Sequence, residues 1–293
     1  MSKAIVGIIG GSGVYDLPGL SDLREERVTT PWGEPSDALR FGRIGATQAV
    51  FLPRHGRGHR LSPSGINYRA NIHALKAAGV TDLVSVSACG SFRENLPPGL
   101  FVLVDQFIDR TVSRDSSFFG NGCVAHVSMA HPVAPLLQRR IVAAARAEHI
   151  PHVSGGTYVC MEGPQFSSLA ESRAYRAMGC DVIGMTAMPE ARLAREAELS
   201  YALVAMVTDF DCWHPEHDAV DVGSVLKIVR ENSEKAAALL ARLLKDFPAE
   251  HEPCPIGSDR ALDTALITAP EARDPALLDK LGVLLARVTA RHR

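Results

Sequence analysis

Two aspartates stand two residues apart at the end of an apolar run: SYALVAMVT leads into DFD, which places Asp209 and Asp211 beside a segment that reads as a buried strand. Carboxylates are costly to bury, so a pair at such a position needs a use. On a continuing strand, residues two apart face the same side. Both acids would then point into one cleft, with Phe210 turned away. Such a pair can ligate a metal, exchange protons, or accept from amino groups. His214 and His217 follow closely, and with His55 and His59 they keep a metal-dependent hydrolase in play. A solvated turn or a helix N-cap is the plain alternative.

Other polar groups suit an anion. GIIGGSG lacks the third glycine of a dinucleotide fingerprint and the lysine of a P-loop. Its glycine amides and the Ser12 hydroxyl can still donate to a phosphate, although a glycine-rich turn explains the stretch as well. Arg54 and His55 open RHGRGH, and a guanidinium fork suits planar oxyanions. His55 and His59 are four apart, but Gly56 and Gly58 argue against the helix that a metal-binding pair at this spacing needs. Ser87 and Ala88 follow a strand-like run, and Thr186 follows CDVIGM. Together Ser12, Arg54, His55, Ser87 and Thr186 would cradle one free phosphate if the fold brought them together.

The elements that must do this alternate. Strands are expected at 4–9, 39–44, 48–53, 82–86, 100–104, 156–161, 180–183 and 201–208. Helices are expected at 68–78, 133–148, 168–178, 190–199, 222–244 and 275–290. The pattern predicts an α/β fold, a central mixed β-sheet flanked by helices. Ligands of such sheets gather beyond the carboxyl ends of strands, and each polar cluster above follows a strand-like run. Val222, Val225 and Leu226 fall on one helical face, as either core packing or a pocket wall. Hydrophobic residues make up 46% of the chain, enough for a substantial core, and a net charge of -2 offers no basic excess for nucleic acid. The six cysteines form no C-x-x-C pair, so reduced thiols are expected. No apolar run reaches the roughly 18 residues of a bilayer span, and the opening residues lack a signal-like h-region. A cytoplasmic protein without membrane or nucleic-acid partners is expected.

Nine short motifs then occur in one order: GIIGGSG, PWGEPSDAL, RHGRGH, NYRANIHALK, SACGS, DQFIDRT, MEGPQFSS, MTAMPEA and TDFDCW. Together they resemble the methylthioadenosine-cleaving branch of the trimeric purine nucleoside phosphorylase superfamily. The resemblance implies a nucleoside phosphorylase-like domain over 1–250; residues 251–293 carry no motif of it and are expected to form a helical extension packed on that domain or on a neighbouring subunit. It implies a homotrimer or a dimer of trimers, with a nucleoside and inorganic phosphate as co-substrates and no metal or organic cofactor. Ser12, Arg54, His55, Ser87, Ala88 and Thr186 would bind phosphate. Met185 would meet the ribose and Phe166 the purine, with Asp209 and Asp211 facing the base. Val222, Val225 and Leu226 would line the 5′ pocket, with His126 supplied by a neighbouring subunit. Ser12 and Ser87 stand where many relatives have threonine, Phe210 replaces a common tyrosine, and Gln165 replaces a frequent arginine. The reaction implied is phosphorolysis of methylthioadenosine. Methylthioinosine, 6-oxopurine nucleosides and 5′-halogenated deoxyadenosine remain alternative substrates, and a non-catalytic purine- or phosphate-binding protein remains an alternative class.

Overall fold

Short runs of branched apolar residues build the centre of the sheet. The computed structural model describes residues 2–11, 17–214 and 222–290, and their side chains except those of 222–226. β1 (Ile5–Gly10) lies parallel to β4 (Thr47–Pro53) on one side and to β5 (Asp82–Ser91) on the other. β11 (Ser200–Asp209) runs parallel to β5 along its other edge. These strands are buried along nearly their whole lengths, as expected where helices cover both faces of a parallel sheet. Beyond β4 come antiparallel β3 (Leu39–Ile44) and the edge strand β2 (Ser21–Glu26). Beyond β5 come β10 (Val182–Gly184), β9 (Thr157–Cys160) and β7 (Gln106–Asp109). β6 (Phe101–Val104) and β8 (His152–Ser154) branch off through β11.

One feature of this sheet positions everything that follows. β1 pairs with β5 only at residues 82–85, and β10 joins antiparallel at 90–91. Between them, Val86 to Cys89 have a ladder partner on the β11 edge and, among the described residues, none on the other. The sheet therefore forks at the middle of β5, a central strand. The strand expected at 82–86 thus continues to Ser91. The ladder to β11 keeps the small residues Ser87 to Gly90 extended.

Helices fill the two faces. α1 (Tyr68–Ala77), α4 (Ala187–Glu196) and α6 (Pro275–Ala290) contribute Ile72, Leu75, Leu193, Leu281 and Leu285 to one apolar cluster. α2 (Pro135–Ala147) and α5 (Val222–Lys245) contribute Leu137, Ile141, Leu240 and Leu244 to the other. α3 (Leu169–Ala177) starts with a capping box between Ser168 and Glu171. The segment after α5 returns to the start of the chain: His251 N–H donates to the Ser2 carbonyl at 2.9 Å, and Ala4 N–H to Ala249 at 3.0 Å. α6 then packs on α1 and is tied down by Arg287, which donates to Glu198 at 2.7 and 2.6 Å.

The returning segment has its own ionic anchor. His251 lies between Asp259, 3.7 Å from Nε2, and Asp82, 2.9 Å from Nδ1. These carboxylates, Asp259 foremost, raise its pKa from 6.5 to about 9 against the cost of burial. A raised histidine pKa gives stability that is complete below the unfolded value and lost as pH climbs through the folded one. Unfolding free energy should therefore fall between about pH 6.5 and 9, by roughly 2–3 kcal/mol from this group. Urea melts across that range should show the slope in the parent and a flatter profile in His251→Gln.

Candidate active site

The fork opens into a cavity of about 550 Å³, a volume suited to a small ligand. Strand ends line it: Gly11 after β1, Arg54 after β4, Met185 after β10, Thr208 and Asp209 at the end of β11, and the open edge of β5. Of the residues expected around an anion, Arg54, His55, Ser87, Ala88 and Thr186 line this one space. Of those expected around a nucleoside, Phe166, Met185, Asp209 and Asp211 do so. Ser12 lies outside the described residues, as do the side chains of Val222, Val225 and Leu226 and the whole of His217. His126 is not among the lining residues; its backbone N–H donates to the Ala265 carbonyl at 2.9 Å.

The two aspartates meet in the cavity by a different route from the one expected. β11 ends at Asp209, after a register shift between Val207 and Asp209, so no pleat carries on to Asp211. Asp211 instead sits in a turn with φ of 51°, a left-handed conformation that aspartate tolerates better than most residues. Its N–H donates to Asp209 Oδ1 at 2.8 Å. Gly90 on β5 leaves room for both acids: a Cβ there would lie 2.8 Å from Asp209 Oδ1 and 3.4 Å from the Asp211 Cβ. Phe210 turns away, as expected, and meets the Trp213 ring edge-on at 6.0 Å. Burial raises the pKa of both carboxyls above the ordinary aspartate value. Each is thereby moved toward the neutral acid, the form that can give up a proton.

Arg54 does not offer the open fork that its sequence context suggests. Its side chain is 2% exposed and its Nε donates to Glu190 at 2.9 Å. Nη1 donates to the Val86 carbonyl, and Nη2 to Ser85 Oγ and the Ile9 carbonyl. Four of its five N–H groups are thus engaged inside the protein. Burial opposes its charge, but Glu190 more than offsets this and holds its pKa above the ordinary arginine value. Tyr201 completes the network, donating to Glu190 at 3.0 Å. Arg54 lines the cavity as a fixed positive charge, and among the described contacts one Nη1 N–H has no partner.

His55 is a neutral ring at pH 7. Burial lowers its pKa to about 4. Nδ1 lies 2.8 Å from the Leu61 carbonyl, which only accepts, so Nδ1 carries the hydrogen and Nε2 the lone pair. His59 stacks on it at 4.1 Å and also lines the cavity. Ser87 Oγ and Thr186 Oγ1 lie 3.3 Å apart, which sets two hydroxyls side by side. Among the described residues no group of three His, Cys, Asp or Glu side chains is placed to hold a metal ion.

Three lining residues carry no signal in the sequence reading: Met206, Val229 and Ser233. Val229 and Ser233 lie one and two turns further along the helical face of Val222, Val225 and Leu226. Arg114 lies outside the cavity yet holds its wall, and no motif pointed to it. Its side chain is 1% exposed; Nη1 donates to the Met185 and Met188 carbonyls and Nη2 to that of Glu162, all at 2.6 Å. It thereby ties the segment of Met185 and Thr186 to the segment that leads to Phe166.

An α/β sheet with acids, hydroxyls and a buried arginine around one nucleoside-sized cavity defines a small-molecule enzyme rather than a structural module. The chain belongs to the phosphorylase superfamily, whose family model matches residues 5–245. It is 69% identical over 98% of its length to the S-methyl-5′-thioadenosine phosphorylase of Bradyrhizobium diazoefficiens, 99% of which is covered. Among solved structures it resembles a methylthioadenosine phosphorylase from an antarctic soil metagenomic library, with TM-score 0.91 and 45% identity over 97% of this chain and 100% of that one. It also resembles the Schistosoma mansoni methylthioadenosine phosphorylase in complex with adenine, with TM-score 0.84 and 40% identity over 89% of this chain and 99% of that one.

Proposed function

We propose that this chain is an S-methyl-5′-thioadenosine phosphorylase, which converts the nucleoside and inorganic phosphate to adenine and S-methyl-5-thio-α-D-ribose 1-phosphate. The observation that carries this reading is the placement of two buried aspartates, their pKa values raised by burial, in the same cavity as a cluster of anion-binding groups. A phosphate oxygen attacks C1′ as the C1′–N9 bond breaks, and the bonding pair leaves with the purine. The sugar becomes oxocarbenium-like and the base anionic, so catalysis needs complementary charge at both ends.

In this reading Ser12, Ser87, Thr186 and the Ala88 amide donate to phosphate, Arg54 supplies fixed charge, and His55 Nε2 accepts from a hydrogen phosphate oxygen. Phosphate then serves as nucleophile and as anionic stabiliser of the sugar. Met185 meets the ribose and Phe166 the purine. Asp209 gives a proton to N7, and Asp211 accepts from the 6-amino group. A carboxylate acceptor suits that amino group, whereas a 6-oxo purine presents another acceptor. Val222, Val225 and Leu226 close the 5′ end over the methylthio group, with His126 reaching it from a neighbouring subunit of a trimer or a dimer of trimers. Residues 251–293 form an extension of the catalytic domain. The enzyme works in the cytoplasm and uses neither a metal nor an organic cofactor.

A substrate panel with and without phosphate tests the reading. Methylthioadenosine should release adenine only when phosphate is present, and chelators should have no effect. Adenosine should be cleaved with a kcat/KM roughly 10- to 100-fold lower, because its 5′-hydroxyl is buried without a partner. Adenine release without phosphate would indicate a hydrolase, binding without release a sensor, and a preference for inosine a 6-oxopurine enzyme.

A further inference from the structure

Thr208 immediately precedes Asp209 on β11, is 6% exposed, and lines the cavity. Its hydroxyl lies 3.1 Å from the Cys89 carbonyl and 2.7 Å from Asp209 Oδ2. A hydroxyl has one hydrogen, so it cannot donate to both oxygens at once. The Cys89 carbonyl can only accept. If Thr208 donates there, its contact with Oδ2 is favourable when Oδ2 itself carries a hydrogen. If Asp209 is ionised, the Thr208 hydrogen belongs on Oδ2. Each protonation state of Asp209 therefore has its own complete hydrogen-bond arrangement, and the two differ by one rotation about the Thr208 Cβ–Oγ1 bond.

We propose that Thr208 is a positioning residue for the proton of Asp209: a hydroxyl rotor that accepts from the acid before the reaction and donates to the carboxylate after it. The inference rests on the proposed phosphorolysis and goes further by giving the acid a partner. During the step the Asp209 proton goes to purine N7, the C1′–N9 pair leaves with the base, and a phosphate oxygen bonds to C1′. Thr208 neither gains nor loses a proton. Its hydrogen swings from the Cys89 carbonyl to Oδ2, so the new carboxylate is never left without a donor on that oxygen. Oδ1 is served separately, by the Asp211 N–H at 2.8 Å.

The geometry limits what else can do this. Cys89 is fixed in the ladder between β5 and β11, opposite Val207. Its thiol is buried and held above its ordinary pKa, first by burial and then by Asp209, so it supplies no charge. Among the described residues that line the cavity with Asp209, the other ionisable groups are Asp211, His55, His59 and Arg54. None of the three cations and imidazoles has a hydrogen bond to Asp209 among the described contacts. Among the described residues, Thr208 is the side chain within hydrogen-bond distance of the acid.

The test is a comparison of Thr208→Val with Thr208→Ser in the full-length protein, with kcat, KM for each substrate and the pH dependence of kcat measured on methylthioadenosine. Valine keeps the shape and removes the rotor. Losing a hydrogen bond to a charged group should lower kcat by roughly 10- to 100-fold, leave KM for phosphate within about threefold, and move the alkaline limb of the pH profile upward. Serine restores the hydroxyl and should recover most of the lost rate and the position of the limb. A valine variant with the parent's kcat and the parent's limb overturns the inference, as does a serine variant as impaired as the valine one. If the valine variant does not fold, Thr208→Ala is read in the same way. A parent protein that releases no adenine overturns the functional reading itself, which separates the two failures.

Discussion

Asp209→Asn should lower kcat on methylthioadenosine by about 10²- to 10⁴-fold, the range for loss of a positioned general acid. KM for phosphate should stay within about threefold, because the anion is bound by other groups in the cavity. Asparagine matches aspartate in shape and can still accept at one oxygen from the Asp211 N–H. What it lacks is an acidic proton. The pH dependence supports the same role. Burial raises the Asp209 pKa, so the neutral acid persists to higher pH than for a solvent-exposed aspartate. Activity should be lost as pH rises through that value, and this limb should vanish in the asparagine variant. Equal turnover by variant and parent would remove Asp209 from the mechanism.

The second large effect concerns a residue that does not line the cavity. Glu190→Ala leaves the Arg54 guanidinium buried with its carboxylate partner gone, and breaking such a pair costs about 3–5 kcal/mol. For a chain of this size the thermal midpoint should fall by roughly 10 °C. KM for phosphate should rise as well, because Arg54 is no longer held at its angle to the cavity. Replacing both residues, Arg54→Met with Glu190→Met, separates these roles. Two apolar groups of similar volume remove the buried charges together, and stability should recover substantially. Phosphate use should not recover, because the fixed positive charge is gone. Calorimetry beside phosphate titrations reads both outcomes. Full recovery of phosphate use in the double variant would show that Arg54 is only a structural group.

Much of the fold was legible because its central strands are buried. Branched apolar runs announced β1, β4 and β11, and glycines marked the ends of α1 and α3. β2 was missed: it is SDLREE, exposed at every position, and its place in the sheet comes from pairing with β3 rather than from any apolar pattern. The far half of β5 was missed because Ser87, Ala88 and Gly90 carry little strand propensity of their own. Tertiary pairing with β11 overrides that preference. α4 is interrupted at Met188, whose backbone is extended (φ -117°, ψ 137°), so its regular part starts at Pro189, next to the expected 190.

The site was legible as a set of polar clusters at strand ends, and the structure gathers most of them. What residue types alone could not show was their bonding. Arg54 read as an open fork, and only the positions of Glu190, Ser85 and Val86 reveal that most of that fork faces inward. Gly56 and Gly58 argue against a helical metal pair at His55 and His59, but residue types do not show that the loop they bend stacks the two rings. Asp209 and Asp211 read as neighbours on a pleat, yet a turn brings them together.

The split beside β5 also bears on how the recess is held. Its floor, Val86 to Cys89, is clamped residue against residue by β11. The ladder that fixes this floor is part of the fold itself. The cost of ordering that base is therefore met when the chain folds, and binding does not carry it again.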